Sequence, residues 1–139
     1  MGVLIDASVL IDCERRGGDV GGLVAGREDE ECFLSVVTAS ELLHGVHRAT
    51  DADTRTRRAA FVEGLLGAWP VLPIDLATAR AHARLWAALA ATGTLIPAHD
   101  LWLAASCIAH GLALLTRDTR HFQRVPGLHI ALWPSEETR

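Results

Sequence analysis

The chain contains no lysine and no tyrosine, so all thirteen of its basic residues are arginine. A P-loop needs its lysine, as does a Schiff-base enzyme, and both are excluded. A tyrosine nucleophile is excluded as well. Cysteine is scarce: Cys13, Cys32 and Cys107 are odd in number and far apart, with no C-x-x-C among them. That leaves no disulfide framework and points to a reducing, cytoplasmic setting. No run of about 18 uncharged apolar residues is present, so no membrane span is expected. The opening MGVLIDAS has no basic region and is interrupted by Asp6, unlike a secretory signal.

What is there suits one domain, residues 1–139, half of whose residues are hydrophobic, enough for a true core. The net charge of −4 opposes a nucleic-acid partner at first sight. That objection weakens if several carboxylates converge on a cation, because a bound metal inverts the local charge. Arginines also group locally, as Arg48, Arg55, Arg57 and Arg58 and as Arg117, Arg120 and Arg124. The ordinary reading of any one of them is a solvated helix face or turn.

The chain alternates strand and helix patterns. Val3–Ile5 reads as a buried strand, followed by a helix over 7–14 that Gly17-Gly18 ends. A short, glycine-weakened helix is expected within 19–26 and a second strand over 32–37. Thr38-Ala39-Ser40-Glu41 matches a capping box and opens the next helix. Further helices are expected over 51–68, over 76–92 with Asp75 as its cap and Gly93 as its stop, and over 100–110, stopped by Gly111. Val71-Leu72, between Pro70 and Pro73, is expected as a short strand or an extended link, and 112–115 and 128–132 complete the strands. Helices between strands imply an α/β/α sandwich, with a mainly parallel central sheet flanked by helices. The working site of such a sheet lies beyond the carboxyl ends of its strands.

Four acids are placed near that edge by this pattern. Asp6 follows the first strand and Asp118 lies just past the strand at 112–115, while Glu41 and Asp100 sit in first helical turns. Each has an ordinary role available: Asp6 as a cap, Glu41 as the capping-box partner of Thr38, Asp100 as a charge against a helix dipole, Asp118 as a turn residue. Together they would repel unless protonated or bridged by a cation. An all-oxygen donor set suits magnesium or manganese and, with it, phosphodiester hydrolysis. An acidic pocket in an α/β sheet also fits a phosphatase or a receiver-like regulatory module, although the latter wants a lysine that this chain lacks.

The local motifs, in their order, carry a resemblance. VLIDASVLID (3–12), SVVTASELLHG (35–45), IPAHDLWLAA (96–105) and GLALLTRDTRHFQRVPGL (111–128) resemble the segments of PIN-domain nucleases, and the last resembles the VapC toxins of bacterial toxin–antitoxin pairs. The resemblance spans essentially the whole chain. It implies a PIN-like fold and a magnesium- or manganese-dependent endoribonuclease. It places the metal-binding, catalytic acids at Asp6, Glu41, Asp100 and Asp118, with Ser8 and Thr116 in support. It further implies an RNA substrate, a VapB-like antitoxin and a homodimer. An RNA-processing nuclease without an antitoxin, or a scaffold that cuts nothing, shares the same sequence features. Residues 50–70 carry no diagnostic residue, and the substrate-binding residues are not identified.

Other side chains have plainer readings. Asp12 is expected to be solvated, and His44 and His47 to form an exposed polar face. His99 is expected at the surface, within reach of a neighbouring carboxylate. Trp86 and Trp102 are expected in the core, and Trp69 and Trp133, beside prolines, are expected to pack.

Overall fold

The computed structural model describes residues 1–18, 20–23 and 27–133. The elements run β1 (Val3–Ile5), α1 (Ala7–Arg15), β2 (Cys32–Ser35), α2 (Val36–Arg48), α3 (Ala52–Ala68), β3 (Val71–Leu72), α4 (Leu76–Ala91), α5 (Ala98–His110), β4 (Ala113–Thr116) and β5 (Ile130–Leu132). The strands form one sheet in the order β3-β2-β1-β4-β5, and every neighbouring pair is parallel. Parallel strands need a crossover between them, which is why helices cover both faces.

The central strands show how the two layers are filled. Successive side chains on a strand point to opposite faces. Leu4 and Leu114 pack with Leu85, Leu89, Leu101 and Phe122 on the α4–α5 side. Val3, Ile5 and Leu115 pack with Val9, Leu10, Leu42 and Val62 on the α1–α2–α3 side. Both faces are apolar, so β1 and β4 read as unbroken hydrophobic runs without alternation.

The strand order reverses beside β1. From β1 the chain builds outward through β2 and β3, then returns to lay β4 and β5 on the other side. The crevice at the carboxyl ends of β1 and β4 is therefore the switch point at which open α/β sheets place their ligands.

Several boundaries differ from the sequence expectation. α2 starts at Val36, not Thr38, because the last residue of β2 is the better cap: Ser35 is extended and its Oγ accepts from the Val37 N–H at 3.1 Å. The Thr38–Glu41 capping box is not formed. The Thr38 hydroxyl is buried without a hydrogen-bond partner among the described residues, and Glu41 moves to the second turn. β2 ends at Ser35, β4 extends through Thr116, and α5 begins at Ala98 after Pro97. Of the short helix expected within 19–26, Val20–Leu23 is a single 3-10 turn; residues 19 and 24–26 lie outside the described residues. Asp75 does cap α4, its Oδ1 accepting from the Thr78 N–H at 2.8 Å, and Gly111 ends α5 at φ 64°.

Trp86 corrects a second expectation, being 57% exposed. Ala81, Leu85 and Leu89 fill the inward stripe of α4, and Trp86 lies one position round from it. Trp102 is half-buried and stacks on His82, with ring centroids 3.6 Å apart. Trp69 and Trp133 pack against the α1–α2–α3 side. Among the described residues, no helix is long and apolar enough to cross a membrane.

Candidate active site

Asp6 is the residue at which β1 becomes α1. Its N–H donates to the Leu115 carbonyl of β4 at 2.9 Å, so its backbone continues the ladder while its side chain turns into the crevice. The next register position on β4 is Thr116, whose Oγ1 donates to Asp6 Oδ2 at 2.8 Å. Ser8, in the first turn of α1, donates from Oγ to the same oxygen at 2.8 Å. Each hydroxyl is in turn an acceptor: Ser8 Oγ takes the Arg117 N–H at 3.2 Å, and Thr116 Oγ1 takes the Asp118 N–H at 3.0 Å. Two backbone amides after β4 are thus relayed through two hydroxyls onto Oδ2. The Ala7 N–H also acts on this carboxyl, and among the described residues no side chain donates to Oδ1.

This carboxyl is only 8% exposed. Burial raises its pKa above the ordinary value of 3.8, with the nearby Glu41 charge adding to the rise and the Thr116 and Ser8 hydroxyls opposing it. Asp100, in the first turn of α5, is also raised, first by burial and then by the charge of Asp6, with Asp118 contributing further. The His121 imidazole opposes the rise, its Nδ1 lying 3.1 Å from Asp100 Oδ2 and 3.6 Å from Asp118 Oδ2. The four acids therefore occupy one edge of the sheet, close enough for the charge of one to act on the next.

They do not form a closed ligand cage. Among the described residues, no three acidic, histidine or cysteine side chains surround a common point tightly enough to hold an ion. The outer two acids are turned to other partners. Glu41 Oε1 lies 2.8 Å from His99 Nδ1, and Asp118 Oδ1 accepts the Arg120 N–H at 3.0 Å. The donor chemistry nevertheless fits a hard divalent ion. All the donors are oxygens, two of the carboxyls carry raised pKa values from burial and like charge, and such an ion keeps much of its water and needs only one or two carboxylates.

The sequence reading had passed over His121. Its signal was the i, i+3 spacing from Asp118, which places both in one turn after β4. His99 is exposed as expected, but the carboxylate it meets belongs to Glu41, not to the adjacent Asp100. Asp12 overturns the expectation of a solvated side chain. It is buried, pairs with Arg16 at 3.0 Å and Arg117 at 3.1 Å, and accepts from Trp133 Nε1 at 3.3 Å. This cluster ties α1 to the segments after β4 and β5, and it holds Arg117, whose N–H feeds Ser8.

Comparison with known proteins shows the family and the fold. The PIN domain family model matches residues 3–128. Ribonuclease VapC1 of Rickettsia felis is 30% identical over 140 residues, spanning 99% of this chain and all of that protein. The crystal structure of VapBC2 from Rickettsia felis, bound to a promoter DNA fragment, superposes with a TM-score of 0.86 over 96% of this chain and 99% of its own; at 18% identity this speaks to the fold. VapBC-5, a toxin–antitoxin system member from Mycobacterium tuberculosis, is 32% identical with a TM-score of 0.72, covering 94% of this chain and 95% of its own.

Proposed function

The chain belongs to the PIN-domain family and, within it, to the VapC ribonucleases, and from that premise we propose that it is the toxin of a type II toxin–antitoxin pair, an endoribonuclease dependent on magnesium or manganese. A single domain, residues 1–139, carries the activity. The observation that supports this reading most directly is Asp6: a buried carboxylate at the switch point, with one oxygen fixed by two hydroxyls, near enough to Asp100 for the charge of one to act on the other.

Asp6 and Asp100 would hold the ion, with Glu41 and Asp118 on the rim completing its environment or ordering its water. An ion held there would activate a water for attack on the phosphodiester and offset charge on the phosphate and the leaving oxygen. Ser8 and Thr116 fix the orientation of Asp6, as partners of a ligating carboxylate do. His121 keeps Asp100 and Asp118 directed toward one another. An antitoxin of the VapB kind would inhibit by presenting a basic side chain to these acids, a charge-assisted contact. A homodimer accompanies this reading, with the exposed Trp86 on α4 available to a second copy.

The test is cleavage of total bacterial RNA by the purified chain with manganese, with magnesium and with chelator, beside Asp6→Asn. Discrete cuts that need the metal and vanish in the variant support the reading. Folded, antitoxin-free protein that makes no cut with either metal counts against it.

A further inference from the structure

A cleft of about 300 Å³ opens beside the acids on the α1–α2–α3 side of the sheet. Arg15 of α1, Arg48 of α2 and Arg58 of α3 line it, and Glu41 forms part of its wall. Glu41 is thus the acid that the cleft and the candidate site share. Sequence groups Arg48 with Arg58, but only folding brings Arg15 to them.

The three arginines are held differently. Arg58 is tethered, its Nη1 donating to the Gly45 carbonyl at 3.3 Å and its Nε lying 3.6 Å from Glu14 Oε1. Arg15 and Arg48 are exposed and have no hydrogen bond or ion pair among the described residues. Other arginines of the same helices are committed: Arg16 to Asp12, Arg55 to the Ala49 carbonyl, Arg57 to Thr54. Glu14, which also lines the cleft, is paired with Arg58, so the cleft presents two uncommitted, permanently charged guanidinium groups, Arg15 and Arg48, on a chain whose net charge is −4.

We infer that this cleft seats backbone phosphates of the RNA strand flanking the cut. The inference rests on the ribonuclease reading and extends it to where the substrate runs. A polyanion approaching four carboxylates is repelled except where cations line its path, and Arg15 and Arg48 line one such path, which begins at Glu41. Guanidinium groups bind phosphate in bidentate fashion and need no base identity. The remaining lining fits a strand better than an apolar peptide, since Leu42 and Val62 are buried behind the charges and only Ile11 offers an exposed apolar side chain.

The experiment uses the full chain in chelator, so that nothing is cut, and follows a labelled single-stranded RNA of mixed sequence by anisotropy across a salt series. Arg15→Ala and Arg48→Ala should each weaken binding several-fold at low salt and reduce the slope of log affinity against log salt by about 0.7, the single-strand value per phosphate contact. Arg48→Lys should keep the slope, because the charge is kept. Arg84→Ala, on α4 beyond the opposite face of the sheet, should change neither quantity. Unchanged affinity and slope in both cleft variants, with melting transitions intact, overturn the inference. So does a variant that binds RNA normally but no longer binds an antitoxin, which would assign the cleft to a protein partner. In either case metal-dependent cleavage by the parent chain would leave the ribonuclease reading standing; loss of that cleavage is the separate failure of the reading itself.

Discussion

The acidic edge divides into an inner and an outer pair, and the two are built differently. Asp6 and Asp100 are set by the sheet and the first turn of α5, Asp6 buried and Asp100 half-buried, and both carry raised pKa values. Glu41 and Asp118 are exposed and are turned toward His99, and toward His121 and the Arg120 N–H. The inner pair has positions fixed by the fold. The outer pair has positions fixed by small polar contacts that an arriving ligand can displace. On the proposed reading, a site made this way would keep the oxygens of the inner pair in place without an ion and leave the rim free to adjust to substrate.

The largest expected effect follows from the inner pair. Asp6→Asn should reduce metal-dependent cleavage about a thousandfold, the order lost when one preorganised electrostatic group is removed. The amide oxygen can still accept from Ser8 and Thr116, so the fold should persist. Cleavage at near the parent rate by a folded variant would remove Asp6 from the machinery and collapse the distinction between the pairs.

The same substitution should raise stability without metal, and pH gives the sign. A carboxyl whose folded pKa lies above its unfolded value of 3.8 binds more protons in the folded state within that interval. Its favourable contribution is present below about 3.8 and is lost as pH rises through the folded value. Asp100 follows the same rule. Asp6→Asn and Asp100→Asn should therefore melt higher than the parent at neutral pH in chelator, and the gain should close as the pH falls through the acid range. Divalent ion should reverse the order by stabilising only the parent. A gain that does not depend on pH would show that charge repulsion is not its cause.

The hydroxyls that orient Asp6 should matter less than the acid itself. Ser8→Ala or Thr116→Val should weaken metal affinity about 10–100-fold, the usual cost of losing a partner of a ligating group. Calorimetric titration with manganese reads this directly. Equal loss from Glu41→Gln would place the outer pair on the same footing as the inner.

One acid of each pair, Asp6 and Asp118, was legible from the strand pattern, whereas Asp100 and Glu41 were placed only as first-turn residues of helices, and Glu41 lies in the second turn of α2. Asp6 and Asp118 follow apolar runs that can only be buried strands, so their edge could be read from hydrophobic pattern alone. His121 could have been found by its spacing from Asp118. The pairing of Glu41 with His99 could not, because it joins residues 58 apart across two helices. The buried Asp12 was missed for the same reason: apart from Arg16, one turn on, its partners Arg117 and Trp133 lie more than a hundred positions away in the chain. Trp86 misled because an aromatic on an apolar helix signals burial, whereas a single position around α4 decides which side it faces.

The smallest expected effect decides how free Glu41 is. A capping box with Thr38 would tie Glu41 to the backbone of α2 and away from the acids. The structure has Ser35 as the cap and leaves the Thr38 hydroxyl buried and without a partner among the described residues. Thr38→Val keeps the branched shape and removes only that hydroxyl. If the hydroxyl is unpaired, the variant should be more stable by about 1 kcal/mol, since a buried polar group without a partner costs at least that much. For a domain of this length that is a rise of about 3 °C in Tm. If a capping box forms in solution, the same change would cost about 1 kcal/mol instead. The opposite signs make a thermal melt sufficient, and a fall in Tm would mean that Glu41 is a structural cap that the site must do without.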